Sequence, residues 1–573
     1  MSIKHLSIII LISLTLAVHA NLDIASPKVK TTVGKLKGYY KTSHNGRQYE
    51  AYEGIPYAYP PVGKLRFQPP RALPIWIGEL SATSLGPVCL QCSLIGKKVS
   101  VIGSEDCLYL NIYVPVREKT APKTPLPVLF WIHGGGFQFG SCNDTDPEYL
   151  MDHDLVFVSI NYRLGPLGFL STEDEIVPGN MGLKDQSLAL RWVSENIEWF
   201  GGDPQKVTLI GASAGGASVH YHYLSPMSAG LFQGGISISG TALDCWAQTE
   251  NSLNKAKQLS EMMGCPTSSS RDMIRCLKYR PSRAVLESLP KFMPFHNNPF
   301  TPFGPVSEKA GDTRFIDRAP VEIISSGDVQ DVPWITSVVS EEGLYPIALF
   351  FDEAGHIKDL NDNWDIISPI LFDFNYTVPK EDHAEISRLI REHYIGTGTI
   401  DKANAKSLVN IASDRFFMYD SEKAARMQAE VNQKPVWYYY YSYRGTNSLT
   451  EMLSKSKDNY GVCHGDDAFT VVKTEMINPM TTSDDRNMQK HLIDMWLSFA
   501  KNGTPNVANV EWFKVDPSRE EFQYLHLAHP TKIYMDSNAN LGNKQFWNSI
   551  NIDENKLQPE ESKSTNKKVK MEL

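Results

Sequence analysis

A serine set between glycines can serve as a nucleophile when the backbone lifts it clear of its neighbours, and Gly211-Ala212-Ser213-Ala214-Gly215 has that spacing. In a chain with 39 glycines the bare pattern is a weak signal. Its context is stronger: the apolar, β-branched run Val207-Thr208-Leu209-Ile210 leads into it, and the helix-compatible segment Ala214 to Leu224 follows. Strand, sharp turn and helix in that order predict a nucleophile elbow, with Ser213 Oγ above the end of a sheet. The flanking residues are glycine because a side chain there would collide with the tight turn. The chemistry of such a serine is attack on a carbonyl carbon.

That attack places negative charge on the carbonyl oxygen, which needs preorganised N–H donors. The segment Leu129-Phe130-Trp131-Ile132-His133-Gly134-Gly135-Gly136-Phe137 is a strand running into three glycines. Alone it reads equally well as a flexible turn; beside the elbow it reads as an oxyanion loop. Gly135 and Gly136 are the expected donors, with the N–H of Ala214 as the third.

The proton of the serine must go to an imidazole, and there are fifteen histidines. His220 and His222 follow the nucleophile on its helix and point away from the elbow, in surface or packing roles. His133 precedes the glycine loop and reads as structural. His464, in Gly461-Val462-Cys463-His464-Gly465, comes late in the chain after a tyrosine-rich strand, as the order serine, acid, histidine requires. For the acid, the apolar run Trp334 to Val339 ends near Glu341 and Glu342 at Gly343. Sequence physics leaves those two carboxylates equal.

Elements that could hold these groups alternate along the first half of the chain. Leu126–Ile132, Leu155–Ile160, Val207–Ile210, Gly235–Ser239 and Val436–Tyr443 have strand character, and Asn180–Trp199 has helical periodicity. Alternating strands and helices predict an α/β fold with a mostly parallel sheet. The second half is more helical and irregular, as insertions over one end of the sheet would be. We find no internal repeat. The formal charge of −9 is spread without a basic tract before the tail, so nothing favours a nucleic-acid partner.

The chain begins as secretory proteins do. Lys4 and His5 precede the apolar run Leu6 to Val18, and small residues at Val18 and Ala20 precede Asn21. We read 1–20 as a signal peptide, 21–554 as one catalytic domain and 555–573 as a polar, disordered tail. No later segment is apolar enough to span a membrane. Eight cysteines suit an oxidising compartment, with Cys89 or Cys92 close in sequence to Cys107, and Cys265 close to Cys276. Closing either loop is worth roughly 3 kcal/mol. Asn143, Asn375 and Asn502 head glycosylation sequons.

With these motifs in order, the chain resembles the type-B carboxylesterases, the cholinesterase-like branch of the α/β-hydrolases, and among them the insect members. The likeness runs from about Val29 to Trp547. It includes Glu53-Gly54-Ile55-Pro56-Tyr57-Ala58, Ser104-Glu105-Asp106-Cys107-Leu108-Tyr109-Leu110-Asn111, Asn161-Tyr162-Arg163-Leu164-Gly165, Gly179 to Gln186, Phe200-Gly201-Gly202-Asp203-Pro204 and the elbow. The resemblance implies the α/β-hydrolase fold, with helices on both faces of a twisted sheet and large insertions over the active site. It implies ester hydrolysis through Ser213, His464 and Glu342 and an acyl-enzyme, without metal or cofactor, on a small-molecule ester. It selects Glu342 because the family's acid stands just before the glycine. It also implies disulfides Cys89–Cys107 and Cys265–Cys276, leaving Cys92, Cys142, Cys245 and Cys463 unassigned. Ser239 resembles a second buried serine that supports the network in relatives, and Phe292 to Val306 the acyl side of the gorge.

Three departures narrow the expectation. Ala212 stands where many relatives have an acid, and where juvenile hormone esterases typically have Gln. The stretch Lys97-Lys98-Val99-Ser100-Val101 lacks the Trp with which acetylcholinesterases hold choline. A general carboxylesterase for hydrophobic esters remains, ahead of a juvenile-hormone-type esterase or a non-catalytic cholinesterase-like binding or adhesion protein. The expected compartment is extracellular. The ending Lys570-Met571-Glu572-Leu573, similar to a retrieval signal, makes the endoplasmic reticulum lumen the alternative.

Overall fold

The computed structural model describes residues 26–93, 100–118, 124–351, 354–401, 404–477, 481–552 and 554–557. The expected signal peptide, the 558–573 part of the expected tail, and Lys97, Lys98 and Val99 lie outside them. Strands β1 (Lys28–Lys30), β2 (Lys35–Lys37) and β5 (Glu79–Ser81) make a three-stranded sheet, and β6 (Gln91–Ser93) pairs with β7 (Ser100–Ile102). Eleven others build the central sheet: β3 (Tyr39–Thr42), β4 (Gln48–Pro56), β8 (Tyr109–Pro115), β9 (Leu126–Ile132), β10 (Val156–Ile160), β11 (Gly202–Ala212), β12 (Gly234–Ile238), β13 (Trp334–Val339), β14 (Val436–Tyr441), β15 (Phe522–His529) and β16 (Lys532–Asn538). Their order is β16-β15-β14-β13-β12-β11-β9-β10-β8-β4-β3. The run from β10 to β15 is parallel; β8, β4 and β3 at one edge and β16 at the other are antiparallel.

Every residue of β9 is buried, as a parallel strand covered on both faces must be. The pleat divides its side chains: Val128, Phe130 and Ile132 join one core, Leu129 and Trp131 the other. In β11, Val207 and Leu209 likewise face the first core, Ile210 and Ala212 the second. The helical reading of Asn180–Trp199 resolves into a helix over Met181–Asn196 and a 3₁₀ turn over Ile197–Phe200. One of the resemblance motifs has a plain structural use. Buried Arg163 donates from Nε and Nη2 to the Asp185 carboxylate at 2.8 and 2.7 Å, joining the turn after β10 to that helix.

Two disulfides join Cys89 to Cys107 and Cys265 to Cys276; Cys92, Cys142, Cys245 and Cys463 are buried thiols. Packing continues into the start of the expected polar tail, for Asn555 is buried and its side-chain amide donates to Leu243 O and the Asp420 carboxylate.

Candidate active site

Ser213 sits between β11 and the helix Ala214–Tyr223 with φ 60° and ψ −126°, a conformation that a side chain adopts only under constraint. The constraint is close packing by glycines. A Cβ on Gly215 would lie 2.0 Å from Ile132 O, and one on Gly240 would lie 2.2 Å from Ser213 O. Ser213 N–H donates to Ile238 O at 2.8 Å, which ties the turn to β12. Ser213 is half-buried, and its Oγ meets no hydrogen-bond partner among the described residues.

The glycine loop follows β9 directly. Its N–H groups at Gly135 and Gly136, like that of Ala214, serve no acceptor among the described residues. The loop is shaped by Gln138 N–H and Phe139 N–H, both donating to Gly135 O at 2.9 and 3.1 Å. Gly135 has φ 107°, and a Cβ there would strike Phe139 O at 2.0 Å, so no other residue fits. Phe300, from the segment Phe292–Val306, backs Gly136, and Gln138 Nε2 donates to Phe303 O. That segment therefore lies against the loop.

His464 is buried, and its Nδ1 is 2.6 Å from Glu342 Oε2. Glu342 is fully buried just past β13, and its Oε1 accepts from Val339 N–H at 2.8 Å. Glu341 does different work. Its Oε2 accepts from Val462 N–H at 2.9 Å and its backbone bridges to Cys463, fastening the histidine loop to the end of β13. The ring of His464 rests on Phe417 and Tyr345, with centroids 4.6 and 5.2 Å apart. Its Nε2 is buried and has no hydrogen-bond partner among the described residues.

Ser213, His464, Gly134, Gly135 and Ala212 line one cavity of about 110 Å3. The rest of its wall is mainly apolar: Trp131, Phe139, Tyr345, Leu449, Phe469 and Met476. Asp144 and Thr145 add polar groups. Apart from Trp131, which stands in the strand that runs into the glycine loop, none of these wall residues was singled out in the sequence, because they come from separate strands, helices and loops and share no local pattern.

His133 also borders this cavity, whereas His220 and His222 do not. His220 and His222 are buried rather than on the helix surface, and His222 is held by Ser228 Oγ at 2.6 Å and Gln186 Oε1 at 3.1 Å. Burial lowers His133 and His220 to about 4 and His222 to about 3, which keeps all three neutral. His133 stacks on Tyr162 at 4.4 Å behind the glycine loop. Ser239 is fully buried with φ 49°, but its Oγ bonds to nothing among the described residues, Glu342 included. Behind the histidine, Asp467 accepts from Tyr439 Oη at 2.9 Å; burial, and then the Glu342 charge, push its carboxyl up to about 7.

The sequence model of the carboxylesterase family matches residues 25–547. Venom carboxylesterase-6 of Apis mellifera is 52% identical, across 93% of this chain and 96% of its own length. A carboxylic ester hydrolase of Bombus ignitus is 49% identical, across 94% and 96%. A crystal structure of juvenile hormone esterase from Manduca sexta, with OTFP covalently attached, aligns with a TM-score of 0.80 at 27% identity, covering 92% of this chain and 99% of that one.

Proposed function

The chain belongs to the carboxylesterase family and is a carboxylic ester hydrolase of the α/β-hydrolase fold, and from that premise we propose that Ser213, His464 and Glu342 hydrolyse hydrophobic esters through an acyl-enzyme. One observation carries the reading: the inner nitrogen of His464 is taken by Glu342, and its outer nitrogen is left unpartnered in the cavity that also holds Ser213. Glu342 fixes the tautomer with the proton on Nδ1, so Nε2 is the base. It takes the Ser213 proton as Oγ bonds to the ester carbon, and returns it to the departing alcohol oxygen. The N–H groups of Gly135, Gly136 and Ala214 hold the oxyanion. Water, deprotonated by the same Nε2, then attacks the acyl carbon, and Nε2 passes that proton to the departing Ser213 Oγ as the carboxylic acid is released. The apolar wall supports hydrophobic esters as substrates.

We propose further that the protein is secreted after cleavage before Asn21. Among the described residues no helix is long and apolar enough to cross a membrane. Of the three sequons, Asn502 is exposed, whereas Asn143 is half-buried and donates to Gly86 O at 2.9 Å. Asn502 is therefore the favoured glycan site.

The catalytic reading is tested by labelling the folded protein with an activated fluorophosphonate and mapping the adduct by mass spectrometry. The label belongs on Ser213; an adduct on another residue, with Ser213 unmodified, overturns the reading.

A further inference from the structure

The sheet β1-β2-β5 sorts its side chains by face. Its registers align Val29 with Leu36 and Leu36 with Leu80, and this row packs onto the core. By the same alternation the other face carries Lys28, Lys30, Lys35 and Lys37, with Glu79 and Ser81. The one carboxylate on it, Glu79, is 3.0 Å from Lys28 Nζ. Four lysines against one glutamate form a cationic patch on a chain of formal charge −9.

The loop entering β5 is apolar and points outward: Ile75 is 73% exposed and Ile77 103%. Trp76 between them is fastened, its backbone N–H donating to Val33 O at 2.9 Å and its indole N–H to Lys35 O at 3.2 Å. Fixing Trp76 inward fixes its two neighbours outward. Trp199, 57% exposed, adds apolar surface on the 3₁₀ turn that packs beside β1, next to the exposed Glu198. This turn leads into the start of β11, and Ser213 follows its end. Gly202 pairs with Leu126 and Gly211 with Ile132, so at about 3.3 Å per residue the start of β11 lies roughly 20 Å from its end, and the patch is at the opposite end of the sheet from the nucleophile.

We propose that this face is a peripheral docking surface for an anionic phospholipid membrane. Ile75 and Ile77 enter the interfacial zone and the lysines sit over the headgroups, their alkyl stems lying along the apolar boundary. Bare isoleucines have no use against a polyanionic sugar. A second copy of the chain, docked about a two-fold axis on this patch, would set lysines against lysines. The inference is independent of the proposed triad, and docking here leaves the catalytic cavity facing away from the surface.

The test is co-sedimentation of the full chain with phosphatidylcholine vesicles containing about one-third phosphatidylserine. The parent binds, binds phosphatidylcholine alone more weakly, and is released by raised salt. I75S/I77S and K30E/K35E each lower the partition coefficient about tenfold or more, with turnover of a soluble ester unchanged. The proposal is overturned if the parent does not bind, if both variants bind as the parent does, or if heparin is bound and vesicles are not. A parent dimer that I75S/I77S dissociates overturns it as well.

Discussion

His464 Nδ1 stands 2.6 Å from Glu342 Oε2, and that contact leaves the other ring nitrogen, Nε2, as the one polar atom of the imidazole facing the cavity. The short distance, full burial of the carboxylate and its second bond from Val339 N–H fix the ring's orientation before any substrate arrives. A ring so held needs little reorganisation to accept a proton from Ser213.

Replacing the nucleophile gives the plainest outcome. Ser213→Ala removes an oxygen that bonds to nothing else among the described residues, so the fold keeps its melting temperature. Turnover of an aryl ester falls by about four to six orders of magnitude. A folded variant that retains turnover would show that Ser213 is not the nucleophile.

Glu342→Gln probes the tautomer. An amide keeps the shape of the carboxylate but can donate to Nδ1, which turns the histidine over to the form with its proton on Nε2 and no basic lone pair toward Ser213. Turnover drops about 10³- to 10⁴-fold with KM little altered. Glu341→Gln is the control: it keeps an oxygen for Val462 N–H and costs far less. Equal losses in the two variants would sink the assignment of Glu342.

The site was legible in the sequence where local patterning fixes it. An elbow must have strand, glycine and helix in consecutive residues, and β11, Ser213 and the helix Ala214–Tyr223 stand so. Glu341 and Glu342 could not be told apart, because what separates them is a contact 122 residues away, to His464, for one and a bond to Val462 for the other. The cavity wall was illegible for the same reason. Asp144, Leu449, Phe469 and Met476 meet only through the tertiary fold. The outer lysine face of β1 and β2 does alternate in sequence, but strands of three residues are too short to stand out.

Asp467 makes stability depend on pH in a known sense. Its folded carboxyl, at about 7, lies above its ordinary 3.8, so the folded state holds the proton more tightly than the unfolded chain. The resulting stabilisation is complete below 3.8 and is lost as pH rises through about 7. Asp467→Asn keeps a group that accepts from Ala468 N–H and one that meets Tyr439, without the titration. The melting temperature of the variant should therefore rise relative to the parent between about pH 5 and pH 8. Buried His133, His220 and His222, whose values are lowered, act in the opposite sense, but equally in both proteins. A difference that stays constant across this range would contradict the burial argument.

The last prediction concerns the alcohol half of the ester. A quaternary ammonium is held by an aromatic face, worth about 0.5–2 kcal/mol per well-placed ring, and by nearby negative charge. Ala212 puts a methyl group, not a carboxylate, beside the nucleophile in the cavity wall. Trp131 is 1% exposed and stacked on Trp496, so little of its face is offered, whereas the half-buried Phe139, Tyr345 and Phe469 present aromatic faces that work against the prediction. Asp144 is the one carboxylate in the wall, and it works against the prediction. An exposed carboxylate in water is worth little to a cation, since solvent screens it; the methyls of choline would still lose hydration against the aliphatic Leu449 and Met476. The balance favours an uncharged alcohol. Compared at similar size and leaving-group pKa, an uncharged butyrate ester should have kcat/KM at least about tenfold above butyrylcholine. Asp144→Asn separates the two contributions: it should leave the uncharged ester unchanged and lower the choline ester further. If butyrylcholine is the better substrate and Asp144→Asn abolishes that advantage, the preference for neutral esters is wrong and Asp144 is the residue that reverses it.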